Sequence, residues 1–573
     1  MIRFRAPNRA RAQDCAAGWL YLGKDATARA ALEARLGLQS RPLGSRLHDQ
    51  ARRLRRPFLD LVASLGAPRP RSEAWWGGTL AWKDPSASDL FLLCCFRAAA
   101  LALAADPAEG GTTVVIEDPW LLRELSGALG NRASFDTPPS LAAAKARALC
   151  AGGARRLLWA GRMALSRARF ALRGARRAAP PPGAVAIHSY VLKRAFAADG
   201  GWTDHYLPGL AEELLAAGRA VVRFTDPDSS GFERGLAARG GVSPLILDAS
   251  WRGFLRAFFA APPELVAKAL LDGVDVSLLF ERERWADVSR AGRCAFVFFR
   301  ECAARFLART RCATVVYPWE NQPQERMLAL AAADSGARTV GVQHSTIPSL
   351  QLSYFLGAGE ATWAPLPRTL IVSGEKPMSD LAADGWPRER LVLGGSRRFA
   401  PHSSSCSPLA TAPASSVLLL LPIDRVHARH LLAAAARVDA GLGFRFLVKC
   451  HPAEPILPEQ WGFSAEAAPA AMDAALARCG LVAFTGSTAG LEALAAGRAV
   501  LRYRPDSALD VDPCDALGDG DLPTAGDADF QAALERLRGG STPSQAALRL
   551  LAGLFGPVDR PVWTRAIAPN GAE

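Results

Sequence analysis

Three short constellations in this 573-residue chain carry side chains whose types and spacing could do chemistry. Lys449-Cys450-His451-Pro452 closes the apolar run FRFLV. A cation and an imidazole there can offset negative charge growing on a phosphate leaving group, while the proline fixes the turn. Gly486-Ser487-Thr488-Ala489-Gly490 lies between an apolar run and a helical pattern, with Glu492 one turn further on. Its hydroxyls and its free N–H groups at a helix N-terminus suit an anion. The third constellation, YPWENQPQE (317–325) with GVQHS (341–345), sets a carboxylate, Glu320, and an imidazole, His344, at neighbouring exits, where one could serve as general base or orient an acceptor hydroxyl. Asp204, opening a helix with His205 and Tyr206, is a fourth candidate of the same kind. Each has a plainer reading: the HP pair as a turn, Ser487-Thr488 as a helix cap, Glu320 and Asp204 as caps, His344 as a hydrogen-bonded core histidine.

These residues all fall just after apolar runs that read as strands. From residue 184 the pattern alternates strand and helix: AVAIHSYVL, the helical DHYLPGLAEELLAAG, RAVVRFTD, SPLILD, a long helical stretch over about 262–309, ATVVYP, RTVGVQHS, RTLIVSG and RLVLGGS. A polar break, APHSSSCSPLATAPASS, precedes a second alternating region: SVLLLLPI, FRFLVKCHP, LVAFTGS and RAVLRY, with helices between. Alternation of this kind predicts parallel sheets covered on both faces. Ligands of such sheets collect beyond the carboxyl ends of the strands. The KCHP and GSTAG motifs are expected to follow adjacent strands of one sheet and to project from the same edge.

Length excludes a single core, because cores stop growing near roughly 250–300 residues. The expected division is an N-terminal α/β module (1–136), a basic proline-terminated linker or helix (137–183), a Rossmann-like domain (184–399), a linker (400–415) and a second Rossmann-like domain (416–560). Net charge is +13, but residues 1–180 hold 29 Lys and Arg against 14 Asp and Glu, so the basicity belongs to one region. Between 137 and 198 there is no Asp or Glu, and ARRLLWAGRMALSRARFALRGARR interleaves arginine with Leu, Trp, Met and Phe. That composition makes residues 145–177 a candidate for an anionic membrane surface, with a solvated or domain-packed helix as the competing reading. Nucleic acid is not expected, for the basic region carries no recognisable module. The apolar run Leu90–Ala105 is short for a bilayer span, contains Arg97, and reads as a buried helix. Eleven cysteines with no CxxC pair, and an N-terminus with no signal-peptide pattern, point to a reducing compartment and no structural zinc. Asp226-Pro227-Asp228 and the acidic stretch near 510–521 read as turns, so no metal site is expected.

The runs YPWENQPQERMLALAAADSGARTVGVQHSTIP, LPRTLIVSGEKPMSDLAADGWPRERLVLGGS, LVKCHP and FTGSTAGLEALAAGRAVL together resemble bacterial surface-carbohydrate glycosyltransferases of the GT-B type, those of capsule and O-antigen synthesis, over roughly residues 184–510. More distantly, the last two motifs resemble those of capsule Kdo transferases, bacterial sialyltransferases and CDP-glycerol glycerophosphotransferases. The resemblance implies an α/β, GT-B-like fold: two doubly wound Rossmann-like domains facing across a cleft, with the extra N-terminal module. It implies a nucleotide-sugar donor bound mainly by 416–560 and a glycan or lipid-linked glycan acceptor on 184–399. By position, Lys449, His451 and Pro452 would meet the donor phosphate, Gly486, Ser487 and Thr488 would hold it, and Glu492 would bind ribose. Glu320, His344 or Asp204 would face the acceptor. No cofactor beyond the nucleotide-sugar substrate is implied. The expected location is the cytoplasm, peripheral on the inner membrane. No acidic pair followed by Gly is present, which argues against CMP-sialic acid as donor. Three other readings stay open: a CDP-alcohol polyol-phosphate transferase, a sugar-nucleotide epimerase of the same fold, and a non-catalytic scaffold of envelope assembly.

Overall fold

The computed structural model describes residues 1–136, 140–191, 203–229, 231–239, 242–264, 268–399, 413–538 and 543–568. Lys193, Arg194 and all but the last three residues of the expected 400–415 linker lie outside them. Four parallel strands form the first sheet: β1 (Arg3–Arg5), β2 (Trp19–Leu22), β3 (Thr113–Ile116) and β4 (Ser134–Phe135), in the order β2-β3-β1-β4. The second sheet has seven parallel strands. Its members are β5 (Val185–His188), β6 (Val221–Thr225), β7 (Val242–Pro244), β10 (Thr314–Trp319), β11 (Arg338–Gln343), β12 (Thr369–Val372) and β13 (Leu391–Leu393). A small antiparallel hairpin, β8 (Leu270–Leu271) with β9 (Val274–Asp275), interrupts the series. The third sheet is six-stranded and parallel: β14 (Ser416–Leu420), β15 (Arg445–Lys449), β16 (Glu466–Ala467), β17 (Leu481–Phe484), β18 (Ala499–Tyr503) and β19 (Thr524–Ala525).

The strand orders matter for function. In the second sheet, β13-β12-β11-β10-β5-β6-β7, the chain runs outward from β5 and then restarts beside it at β10. In the third, β16-β15-β14-β17-β18-β19, it runs outward from β14 and restarts beside it at β17. Each reversal opens a crevice at the carboxyl edge, the place where open parallel sheets take ligands. This is the doubly wound, GT-B-like pair expected from the sequence. One expectation is corrected: the Lys449 and Gly486 exits do not follow adjacent strands, because β14 lies between β15 and β17.

Burial explains the strands. Along β14, Val417 and Leu419 join one core with Leu431 and Ala435, while Leu418 and Leu420 join another with Leu491 and Leu494. A strand buried on both faces must be apolar at successive positions, and each fully buried leucine contributes about 2 kcal/mol. In the second sheet Val185 and Ile187 face one core and Ala184 and Ala186 the other.

Three features bear on how the parts of the chain join. Residues 1–136 share a continuous core with the second sheet: Phe58 packs on Phe91 and on Phe280, with ring centroids 5.0 and 6.3 Å apart, and Lys83 meets Glu360 at 2.7 Å with both side chains buried. The same module reaches the third sheet through Arg29 and Asp527, 2.5 Å apart, and through His48 Nε2, 3.2 Å from the Pro505 carbonyl. Residues 141–172 form one 32-residue helix, Leu141–Leu172, whose Trp159, Met163 and Phe170 are buried, with Trp159 stacked on Phe254 at 5.5 Å. Of the two forms expected for 137–183 it takes the helical one, docked on the second sheet's domain. Finally, the helix Arg560–Ile567 returns to the second sheet, burying Trp563 beside Ile371 and donating its indole N–H to the Gly394 carbonyl at 2.8 Å. The helical stretch expected over 262–309 resolves into Ser277–Ser289 and Gly292–Thr310 after the hairpin, and Leu90–Ala105 is the expected buried helix, its Arg97 paired with Glu124 at 2.8 Å. Among the described residues no helix is long and apolar enough to cross a membrane.

Candidate active site

A cavity of about 400 Å³ lies between the carboxyl edges of the second and third sheets. Glu320, Gln322, Ser345 and Thr346 border it from one side, Pro422, Asp424, His427, Gly486 and Thr488 from the other, and Lys24, Trp82 and Asp84 of the N-terminal module close a third wall. Glu320 follows β10, Asp424 and His427 follow β14, and Gly486 follows β17, so both topological reversals contribute.

Glu320 is free for chemistry because a neighbour performs the capping. The helix Pro323–Ser335 opens on a capping box of Gln322 and Glu325, in which Glu325 Oε2 accepts the N–H groups of Glu320 at 2.9 Å and Gln322 at 3.2 Å. The Glu320 carboxylate accepts from the Gln322 amide and from Ser345 Oγ at 3.4 Å, and its Oε1 lies 3.3 Å from His344 Nε2. Its side chain keeps 32% of its exposure, towards the cavity. Burial pushes the Glu320 carboxyl up, but His344 and Gln322 outweigh it and hold it below the ordinary glutamate value. It is therefore an ionised carboxylate, a proton acceptor.

His344 stands behind Glu320, 3% exposed, with the Tyr206 ring edge-on at 4.7 Å. It does not border the cavity; it orients Glu320. Asp204 is further removed. Its Oδ1 accepts the N–H groups of Tyr206 and Leu207, each at 2.9 Å, and its Oδ2 the Ser189 hydroxyl at 2.6 Å. The carboxylate is spent on holding a turn, and the expected helix cap is corrected: the next helix, Leu210–Ala216, begins six residues later behind Gly209.

On the opposite wall the sequence reading passed over the main feature. Asp424 caps the helix Arg425–Ala436 through the Val426 N–H at 2.9 Å, and its other oxygen accepts from His427 Nδ1 at 2.6 Å. The second ring nitrogen, Nε2, lies 2.7 Å from the Leu509 carbonyl. Both partners are acceptors, so the ring carries two protons and a positive charge. Burial pushes the His427 pKa down, but Asp424 and Leu509 outweigh it and hold it above the ordinary histidine value. Asp-x-x-His directly after the SVLLLLPI strand was the available signal, by the same strand-exit rule that singled out the other candidates.

Gly486 adopts φ +54°, a conformation that suits glycine, and its N–H donates to Asp512 Oδ2 at 3.0 Å. That one N–H is thus already taken. Thr488 borders the cavity and its hydroxyl does not cap the helix Ala489–Ala495, whereas Ser487 Oγ accepts the Ala489 N–H at 3.3 Å. Lys449, His451, Pro452, Ser487 and Glu492 do not border the cavity. Lys449 Nζ donates to the carbonyls of Pro469 at 2.9 Å and Ala470 at 2.6 Å, and the His451 ring accepts the Ala453 N–H at 3.2 Å. Burial lowers the Lys449 pKa, against the pull of Glu492. In the N-terminal module, Lys24 pairs with Asp89 at 2.6 Å, and Asp84 accepts the N–H and hydroxyl of Ser86, each at 2.7 Å. Burial pushes the Asp84 pKa up. Among the described residues no group of three or more His, Cys, Asp and Glu is arranged to hold a metal ion.

No family model matches the chain, and no curated protein does. Solved structures similar to it include a glycotransferase of kitacinnamycin (16% identity, TM-score 0.37, covering 68% of this chain and 97% of that one). A UDP-GlcNAc 2-epimerase from Neisseria meningitidis bound to UDP-GlcNAc is 10% identical (TM-score 0.36, 67% and 97% covered). The lipopolysaccharide outer core galactosyltransferase WaaB, in its apo form, is also 10% identical (TM-score 0.38, 67% and 99% covered). Likeness at this level carries no chemistry over to this chain, whose site has to be read from its own residues.

Proposed function

We propose that the cavity is the active site of a glycosyltransferase that moves a sugar from a nucleotide-sugar donor to a cell-surface glycan or lipid-linked glycan acceptor in the cytoplasm. One observation carries the reading: two sheet reversals meet at one cavity and bring an ionised carboxylate, Glu320, to a cavity that also holds an imidazolium, His427. Glu320 takes the proton of the acceptor hydroxyl, and that oxygen attacks the anomeric carbon. The bond from anomeric carbon to phosphate oxygen breaks, its electron pair leaves with the nucleotide, and the charges of His427 and Lys24 offset the new negative charge. Thr488 offers a hydroxyl to the phosphate. Lys449, His451, Pro452, Ser487 and Glu492 are proposed to hold the rest of the donor at the neighbouring exits. No step of this transfer calls on a metal ion, so full activity in EDTA is expected.

Melting curves across UDP, GDP, dTDP, CDP and CMP test donor binding. A ligand at a hundred times its dissociation constant adds about 2.7 kcal/mol to the folded state. The expected result is a shift with one base, absent in His427→Ala. No shift with any nucleotide overturns the reading and leaves a scaffold. Nucleotide release that needs no acceptor replaces transfer with hydrolysis, and isomerised donor with no net nucleotide release replaces it with epimerisation.

A further inference from the structure

The helix Leu141–Leu172 buries Trp159, Met163 and Phe170 in the second domain, and the opposite face is where the open question lies. Leu158, Leu165 and Leu172 recur every seven residues, so they form one stripe along the helix, and they are 69, 49 and 87% exposed. Leu157 beside them is 66% exposed. Arginines border the whole exposed face of the helix, Leu157 included, on both sides. Arg155, Arg162 and Arg169 run along one border, Arg162 reaching Asp228 at 2.9 Å. Arg156 and Arg167 run along the other, donating to the carbonyls of Ala260 and Ala249, each at 3.2 Å. Those two contacts lay the helix Trp251–Phe258 alongside, and this neighbour shows a second apolar stripe: Trp251 and Phe259, both 69% exposed, with Leu255 between. Trp251 is fixed by stacking on Phe254, which stacks on Trp159, at centroid distances of 5.9 and 5.5 Å.

We propose that these two helices form the face by which the protein lies on a bilayer of anionic lipid. An amphipathic helix in the membrane plane sinks its apolar stripe to the acyl boundary and leaves its cations at the headgroups, and aromatic rings favour that same depth. Residues 141–177 contain ten basic side chains and no acidic one, and Arg173, Arg176 and Arg252 have no carboxylate partner among the described residues. A second copy of the chain is disfavoured as the occupant, because a twofold contact would set like charge against like. Exposed leucines give a nucleic acid nothing to recognise. The inference stands whether or not the cavity transfers sugar, since attachment is read without turnover.

The test is flotation of the full chain with phosphatidylcholine vesicles containing about 30% phosphatidylglycerol, against pure phosphatidylcholine. Binding to the anionic vesicles is expected to exceed that to neutral ones about tenfold at 0.1 M salt and to fade at high salt. Leu158→Asp/Leu165→Asp/Leu172→Asp should abolish it with an unchanged melting temperature. If that triple variant does not fold, Arg173→Gln/Arg176→Gln/Arg252→Gln reads the same face, losing the anionic preference alone. Equal binding to both vesicle types, no binding, or variants that float like the wild type overturn the proposal. So does a concentration-dependent dimer, or a complex with duplex DNA, that the leucine substitutions remove.

Discussion

Asp424 holds His427 as a buried cation: their 2.6 Å hydrogen bond fixes one ring nitrogen while the other faces the Leu509 carbonyl at 2.7 Å. The His427 pKa is raised above 6.5 and that of Asp424 lowered below 3.8. His427's contribution to stability is fully present below pH 6.5 and is lost as pH rises through its raised value; Asp424's is present above pH 3.8 and lost as pH falls through its lowered one. Asp424→Asn should cost about 2 kcal/mol near pH 6, and the deficit should shrink towards pH 9 in urea titrations. A pH-independent deficit would mean that the ring is neutral.

Replacing Glu320 removes the proton acceptor, while the helix cap is held by the Gln322–Glu325 capping box. Glu320→Gln should lower kcat by about 10²–10⁴-fold with an unchanged melting temperature. Because the carboxyl sits below its ordinary value of 4.5, the acid limb of wild-type kcat/KM due to this group should fall below that pH. His344→Ala should move that limb upward, since the imidazole helps to hold Glu320 ionised.

Arg29 and Asp527 clamp the N-terminal module to the third sheet with side chains 7 and 6% exposed. Arg29→Met strands a buried carboxylate and should cost about 3–5 kcal/mol in chemical unfolding. Arg29→Met/Asp527→Leu should recover most of it. A double variant as unstable as the single one would show that the cost lies in packing and not in the stranded charge.

Asp512 is pushed up to about 7, first by burial and then by Asp510. The folded state therefore binds an extra proton between about pH 4 and 7, and stability falls as pH rises through that window. Asp512→Asn should flatten the profile there. An unchanged pH profile in calorimetry would count against a protonated Asp512.

How far the sequence discloses this site depends on which constraint sets each part. Val417–Leu421 had to be a doubly buried strand, since no surface would tolerate five such residues, and Glu320 could be found because it follows a run of that kind. Strand order was not legible: KCHP and GSTAG follow β15 and β17, with only the two-residue β16 between them along the chain, but a parallel sheet restarts on either flank, and β14 separates them. Trp159 and Phe170 lie on the same side of their helix as Met163, and only the presence of Phe254 and Phe298 shows that side to be an interior. His344 and His427 both stand near a carboxylate, yet only His427 has a hydrogen-bond acceptor at each ring nitrogen, and its Leu509 partner is brought there by the fold.

The return of Trp563 to the second sheet bears on synthesis. The face formed by Val185, Val340 and Ile371 is closed by a residue that leaves the ribosome 164 positions after Phe399. At ~5–20 residues per second that is a wait of roughly 10–30 s, during which an apolar sheet face stands open. The interval during which this side of the sheet lacks its last cover is thus set by elongation rate and not by folding speed.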